Sequence, residues 1–138
     1  MRTTFPPIVM GSRESVRLAN LANAGLRTSP AAAEVLLHEV ARAQIDDRLA
    51  QSGGVVTMNS YVEFRDDVTG RVRTIKLVYP GDSDPDAGAI SVLTPVGAAL
   101  IGLLEGQSFE WRTRRGDRKT LTVLKVRNSV APLGYIDM

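Results

Sequence analysis

Apolar residues recur along this chain with two different periods, and the change from one to the other falls at Gly53-Gly54. Before that pair the spacing is helical. Val16, Leu18, Ala19, Leu21 and Ala22 form a partial apolar stripe, which predicts a helix from about Arg13 to Ala24. Ser12 is placed to cap it, Glu14 lies in the first turn where the helix dipole favours an acid, and Gly25 is a natural stop. Ser29-Pro30 caps a second helix in the manner of Thr94-Pro95 further on; it carries Ala32, Val35, Leu36, Val40, Ala43 and Leu49 and ends by Gly53-Gly54. Ahead of both, Ile8-Val9-Met10 reads as a strand or a hydrophobic lead-in. Two helices of similar length joined by a few residues make an antiparallel hairpin, with Arg42, Asp46 and Asp47 on its polar side.

Beyond Gly54 the period is two. Val56, Met58 and Ser60 alternate with Thr57, Asn59 and Tyr61, and the strand continues to Arg65. Asp66 to Gly70 is a turn, Arg71 to Tyr79 returns as a second strand, Pro80 ends it, and Gly81 to Asp86 is a polar loop. The stretch from Gly88 to Leu103 organises the sheet half of the chain. It begins as a strand with Ile90 and Val92 on one face and Ser91 and Leu93 on the other. Thr94 then fits an N-cap, and Pro95 takes the first helical position, where its missing N–H costs nothing. Val96, Ala99, Leu100 and Leu103 come next at helical spacing, and Gly97, Ala98 and Gly102 are small enough to let this helix approach a sheet closely. Glu105-Gly106 closes the helix, Ser108 to Trp111 is a strand, Thr113 to Asp117 a turn, and Thr120 to Val126 the last strand. The expected fold is α+β. A short helical hairpin over residues 8–52 precedes a small twisted sheet of about five antiparallel-biased strands over 55–127, with one helix across it and an irregular tail over 128–138.

Composition narrows the function classes. At 138 residues, 43% hydrophobic and 23% charged, the chain is a globular domain, and no run approaches the roughly 18 apolar residues of a membrane span. The segment Met1 to Pro7 has no long apolar core, so no secretion signal is expected. The absence of cysteine excludes disulfide and thiol chemistry and fits a cytoplasmic location. Net charge is only +2 but unevenly spread: Ser60 to Trp111 holds eight acids against four bases, whereas Arg112 to Arg127 holds seven bases against Asp117 alone. The basic segment 112–127 reads as a solvated hairpin turn or, less favoured, a weak nucleic-acid contact. Aromatic residues are few and not interleaved with the bases, so no stacking platform for single strands is expected.

Candidate chemistry is sparse. His38 is the single histidine, a helix-surface residue rather than a ligand or base, and no nucleophile stands near it in sequence. Asp82-Ser83-Asp84-Pro85-Asp86 lacks the glycine and distal glutamate of a calcium loop and reads as a solvated turn. No glycine-rich phosphate loop occurs. Phe109 and Trp111 fit core anchors; with Tyr61, Phe64 and Tyr79 they could instead line a peptide pocket.

Four short stretches in fixed order nevertheless resemble one family. Leu77-Val78-Tyr79-Pro80, the acidic loop, Ile90-Ser91, and Thr94 to Gly102 resemble the C-terminal domain of the bacterial Gre transcript-cleavage factors, an immunophilin-like α+β fold. Val55 to Ser60 and Pro95 to Leu100, with Ala98 where many cleavage factors have a basic residue, narrow the resemblance to the Rnk proteins, regulators of nucleoside diphosphate kinase. The resemblance spans Ile8 to about Val126 and implies binding to RNA polymerase at the rim of its secondary channel. By that likeness the docking surface is Leu93, Thr94, Pro95 and Val96, and the hairpin tip is Leu26, Arg27, Thr28 and Ser29. Cleavage factors carry acids at a longer hairpin's tip to hold magnesium. The tip here, Gly25 to Pro30, has none, so neither a metal, a cofactor nor cleavage is expected. At the docking corner the cleavage factors' Asp-or-Asn, Ser, Pro is replaced by Leu93-Thr94-Pro95, one polar contact fewer. The expected role is a non-enzymatic regulator that competes with cleavage factors. The alternative is a peptide-binding or prolyl-isomerase-like module, and control of a nucleoside kinase would be an indirect outcome.

Overall fold

The computed structural model describes residues 6–113 and 115–127; the tail over 128–138 lies outside them. The chain begins with strand β1 (Val9–Met10), helix α1 (Ser12–Gly25) and helix α2 (Pro30–Arg42). Strand β2 (Gln44–Ile45) and helix α3 (Asp47–Gln51) come after them. The main sheet is built from β3 (Tyr61–Asp66), β4 (Val72–Val78), β5 (Ala89–Ser91), β6 (Ser108–Arg112) and β7 (Arg118–Arg127), with helix α4 (Pro95–Leu100) between β5 and β6.

Strand order in the sheet is β5-β4-β3-β7-β6. The β3–β4, β3–β7 and β6–β7 pairs are antiparallel and β4–β5 is parallel. The parallel pair is closed by two single 3₁₀ turns, Pro80–Asp82 and Pro85–Ala87, each opened by a proline that pre-sets φ. Alternation works as period two requires: Val62, Phe64, Ile75, Leu77, Phe109, Leu121, Val123 and Val126 are buried on the inner face. The pairing shifts between Glu63 and Phe64, whose partners are Lys125 and Val123, so Leu124 is left over and exposed.

Helices cover only that inner face. Leu18 and Ala22 of α1, Leu36 of α2, and Ala98, Ala99 and Leu100 of α4 join the sheet residues in one apolar cluster. Leu18 and Leu36 are fully buried there, each worth roughly 1.5–3 kcal/mol of hydrophobic stabilisation, so the hairpin shares one core with the sheet and α4.

Four expected boundaries move. The second helix does not run on to Gln51. It stops at Arg42 because Ala43 turns extended (ψ 142°) and Gln44–Ile45 pairs in parallel with Val9–Met10. Asp46 then accepts a hydrogen bond from the Leu49 amide (2.9 Å) and caps the separate α3. Second, the first strand of the sheet starts at Tyr61 and not at Val55. Asn59 adopts φ 68°, a left-handed conformation that asparagine tolerates, and the Ser60 hydroxyl donates to the Thr57 carbonyl (2.7 Å) to hold the turn. Third, α4 ends at Leu100, and Leu103 is buried from the next turn. Fourth, α1 is capped from Gly11, while Ser12 donates its amide (2.6 Å) and its hydroxyl (2.9 Å) to Asp47 of α3.

Candidate functional site

The strand-to-helix corner at residues 93–96 is held by three side-chain bonds. The Ser91 hydroxyl oxygen accepts from the Leu93 amide at 3.0 Å. The Thr94 hydroxyl donates to the Ser91 carbonyl at 2.7 Å and accepts from the Gly97 amide at 3.1 Å. Thr94 therefore caps α4 as its sequence context predicts, with Pro95 in the first turn. Gly97 is packed against the incoming strand. A Cβ there would lie 2.2 Å from the Ser91 carbonyl oxygen and 2.8 Å from the Val92 Cα. The corner is rigid, with Pro95 exposed at its apex and Leu93, Thr94 and Val96 partly buried around it.

The hairpin tip touches this corner. A Cβ on Gly25 would meet the Leu93 Cδ1 at 3.0 Å and the Ala33 Cβ at 3.7 Å. Leu93 thus packs into the space left by the glycine that ends α1. Leu26, Arg27 and Thr28 are exposed beyond it, and the chain reverses through Ser29 N–H donating to the Gly25 carbonyl at 2.8 Å. Ser29 precedes Pro30 but makes no side-chain capping bond, contrary to the expectation that it acts as Thr94 does. Its ψ of 61° departs from the extended value of 160° at Thr94. The structure brings the two sequence-chosen groups, corner and tip, into one neighbourhood through Leu93 and Gly25.

Two carboxylates fix the hairpin's base: Glu39, which the sequence reading missed, and Glu14, which it read only as a first-turn acid. Glu39 is buried and receives Arg42 Nη2 at 2.6 Å and Nε at 3.1 Å, while Arg42 also donates to the Pro6 carbonyl. The i, i+3 spacing of Glu39 and Arg42 was the available signal. Glu14 accepts the Met58 amide at 2.9 Å through Oε2, and its Oε1 is buried without a hydrogen bond. Burial pushes the Glu14 carboxyl above its usual range, the Met58 bond opposing only in part. Beside it Tyr79 is pushed up by burial, against the pull of Arg17, whose guanidinium lies 4.0 Å from the ring centre, and with a further push from Glu14.

The remaining candidates are scattered. Phe109 is buried and Trp111 is partly buried; with Glu34, Val35 and His38 they line an open groove of about 300 Å³ between α2 and β6. His38 meets Glu39 at 3.2 Å. The basic segment 112–127 is split along β7, whose ten residues span about 30 Å. At the turn Arg112 donates to the Gly116 carbonyl and Arg118 pairs with Glu110 at 2.7 Å, whereas Lys125 and Arg127 lie at the other end. Arg114 lies outside the described residues. Among the described residues no group of three His, Cys, Asp or Glu is placed to hold a metal ion, and no helix is long and apolar enough to cross a membrane.

Comparison with known proteins gives the arrangement a context. The family described as transcription elongation factor GreA/GreB, C-term, matches residues 51–128. The regulator of nucleoside diphosphate kinase of Escherichia coli is 36% identical over 121 residues, 88% of this chain and 89% of that protein. Transcription elongation factor GreA of Syntrophobacter fumaroxidans is 34% identical over 93 residues, which cover 67% of this chain but only 59% of that factor. Among solved structures, a prokaryotic transcription elongation factor GreA/GreB from Nitrosomonas europaea superposes with a TM-score of 0.66 at 34% identity, covering 87% of this chain and 98% of that one.

Proposed function

This chain belongs to the GreA/GreB family, in the branch of the regulators of nucleoside diphosphate kinase, and we propose that it is a non-enzymatic regulator of transcription that docks on RNA polymerase near the secondary channel. It occupies the site that Gre-type cleavage factors use and competes with them without stimulating cleavage. The corner Leu93, Thr94, Pro95 and Val96 makes the contact, since Pro95 is exposed at the first turn of α4, where a short strand-to-helix corner is held on both sides. The family gives no favour to the peptide-binding alternative.

One observation carries the claim of occlusion without catalysis. The tip from Gly25 to Pro30 offers no carboxylate, and magnesium needs hard oxygen ligands. At about 1.5 Å per residue, the 14 residues of α1 reach only about 21 Å, and Gly25 at their end packs on Leu93 of the corner itself. The tip sits beside the docking surface and cannot project far past it. Glu34, the nearest acid, is one turn into α2 and faces the groove with β6.

The test titrates a Gre-type cleavage factor against fixed amounts of this protein on a stalled transcription complex. Inhibition of transcript cleavage that excess factor relieves is expected, with no shortened transcripts from this protein alone. A folded Pro95→Asp variant should lose the effect. Cleavage above the polymerase's own background, inhibition that no excess of factor reverses, or full potency in Pro95→Asp would each overturn the reading.

A further inference from the structure

The outer face of the main sheet is left uncovered by any helix of the described chain, and its chemistry is not uniform. β3 lies between β4 and β7, and in both pairings the partner of Tyr61 is a cation: Lys76 on one side and Arg127 on the other. The Lys76 ammonium is 5.6 Å and the Arg127 guanidinium 5.4 Å from the centre of the Tyr61 ring, which is 39% exposed. Lys125 stands two pairs further along β7, opposite Glu63. Aromatic and basic residues that the sequence scatters over 66 positions are thus interleaved by strand order.

We propose that this face binds a single-stranded nucleic acid, with a base against Tyr61 and phosphates on Arg127, Lys125 and Lys76. The combination of an exposed ring and flanking cations on a sheet is what such ligands require: every base has a π-face to stack, and the backbone supplies the negative charge. The three cations have no ion-pair partner among the described residues, in contrast to Arg65, which pairs with Asp67 at 2.6 Å, and Arg118, which pairs with Glu110. Charge also sets the direction. On the β5 side Asp84 bridges to Ala89, the β5 partner of Lys76, and the loop that carries it also holds the exposed Asp82 and Asp86, so the strand runs from Tyr61 over β7. An acidic peptide would satisfy the cations but has no use for the ring.

The test is fluorescence anisotropy with the full chain and short labelled oligonucleotides of one sequence as single-stranded RNA, single-stranded DNA and duplex RNA, alongside polyglutamate. Both single strands should bind at low salt and more tightly than the duplex; a preference for RNA would add a 2′-hydroxyl contact to the same site. Tyr61→Ala should weaken single-strand binding about tenfold, the low end of what one stacked base contributes, and Tyr61→Phe should retain it. Lys76→Gln with Arg127→Gln should flatten the logarithmic salt dependence by about 1.4, two phosphate contacts at about 0.7 each. Should Tyr61→Ala fail to fold, Tyr61→Phe and the double variant still decide the matter. No binding of single strands at low salt, unchanged affinity in folded Tyr61→Ala, or polyglutamate bound as tightly and with the same loss in Tyr61→Ala would overturn the proposal. The assay contains no polymerase, so its failure would leave the docking proposal standing, and the converse.

Discussion

Ser29-Pro30 and Thr94-Pro95 are the same signal in sequence, a hydroxyl residue and a proline at the start of a helix, yet the molecule builds them differently. At Thr94 the hydroxyl is bonded twice, to the Ser91 carbonyl and the Gly97 amide, because a strand arrives immediately before it and supplies the partner. At Ser29 a bare turn arrives instead; the chain closes on the Gly25 carbonyl through backbone N–H groups and the side chain caps nothing. A local motif states that a helix begins. Whether the start is a corner capped by a side chain or a turn closed by backbone alone depends on what precedes it in space.

The glycines behind these two starts offer the largest test. Gly97→Ala would drive a Cβ into backbone, 2.2 Å from the Ser91 carbonyl oxygen, where nothing can yield without moving β5 away from α4. A loss of about 3 kcal/mol is expected, at the upper end of overpacking, read as a fall in the urea midpoint. Gly25→Ala meets the end of the Leu93 side chain at 3.0 Å, with the Ala33 Cβ at an ordinary 3.7 Å, and should cost well under half of that. Equal losses at the two sites would erase the distinction between corner and tip.

Next in size are the caps themselves. Thr94→Ala removes the acceptor of the Gly97 amide and should cost about 0.5–2 kcal/mol in the same measurement. Ser29→Ala removes no side-chain cap and should stay within about 0.5 kcal/mol. If the serine variant lost as much as the threonine one, Ser29 would be capping in solution after all.

These contrasts show where sequence reasoning reached and where it stopped. The five strands, the Thr94 cap, the two helices and the family were legible because each rests on a period or on a few adjacent residues. The break of the second helix at Arg42 was not. Ala43 and Leu49 continue its apolar spacing, and the pairing that interrupts it joins Gln44 to Val9, 35 positions earlier. Asp47 capping Ser12 has the same separation, and Tyr61 between Lys76 and Arg127 depends on strand order. Of the candidate site, the residues were chosen from sequence, but the contact of Leu93 with Gly25 that unites corner and tip was not foreseeable from either stretch.

The opposite end of the hairpin, at Glu14, gives a smaller effect that is read against pH. Its carboxyl binds a proton more tightly folded than unfolded, because burial raises it above 4.5. That contribution to stability is complete below about pH 4.5 and is lost as pH rises through the raised value. Asp67 works in the opposite sense. Burial acts against it, but bonds from Thr122 and Arg65 and the charge of Arg65 bring it below 3.8, so its contribution is lost on acidification. Glu14→Gln keeps an acceptor for the Met58 amide and removes the titration. Urea midpoints above pH 4.5 should therefore fall less steeply with rising pH in the variant than in the parent. Identical slopes would show that Glu14 is solvated in the native state.

The smallest effect belongs to the tip's own charge. Arg27 is exposed, and the turn that carries it is closed by backbone bonds from Thr28 and Ser29 to Gly25 that need no side chain. Stability should therefore move by no more than about 0.5 kcal/mol in Arg27→Ala. Gly25 packs on Leu93, so Arg27, two residues on, remains near the 93–96 corner. If docking rests on the corner, Arg27→Ala should inhibit a cleavage factor at nearly the parent's concentration while Pro95→Asp does not inhibit at all. Should Arg27→Ala instead lose inhibition as completely as Pro95→Asp, with its fold intact, the tip would be the principal contact. The turn would then carry the function and the capped corner would serve only to hold it.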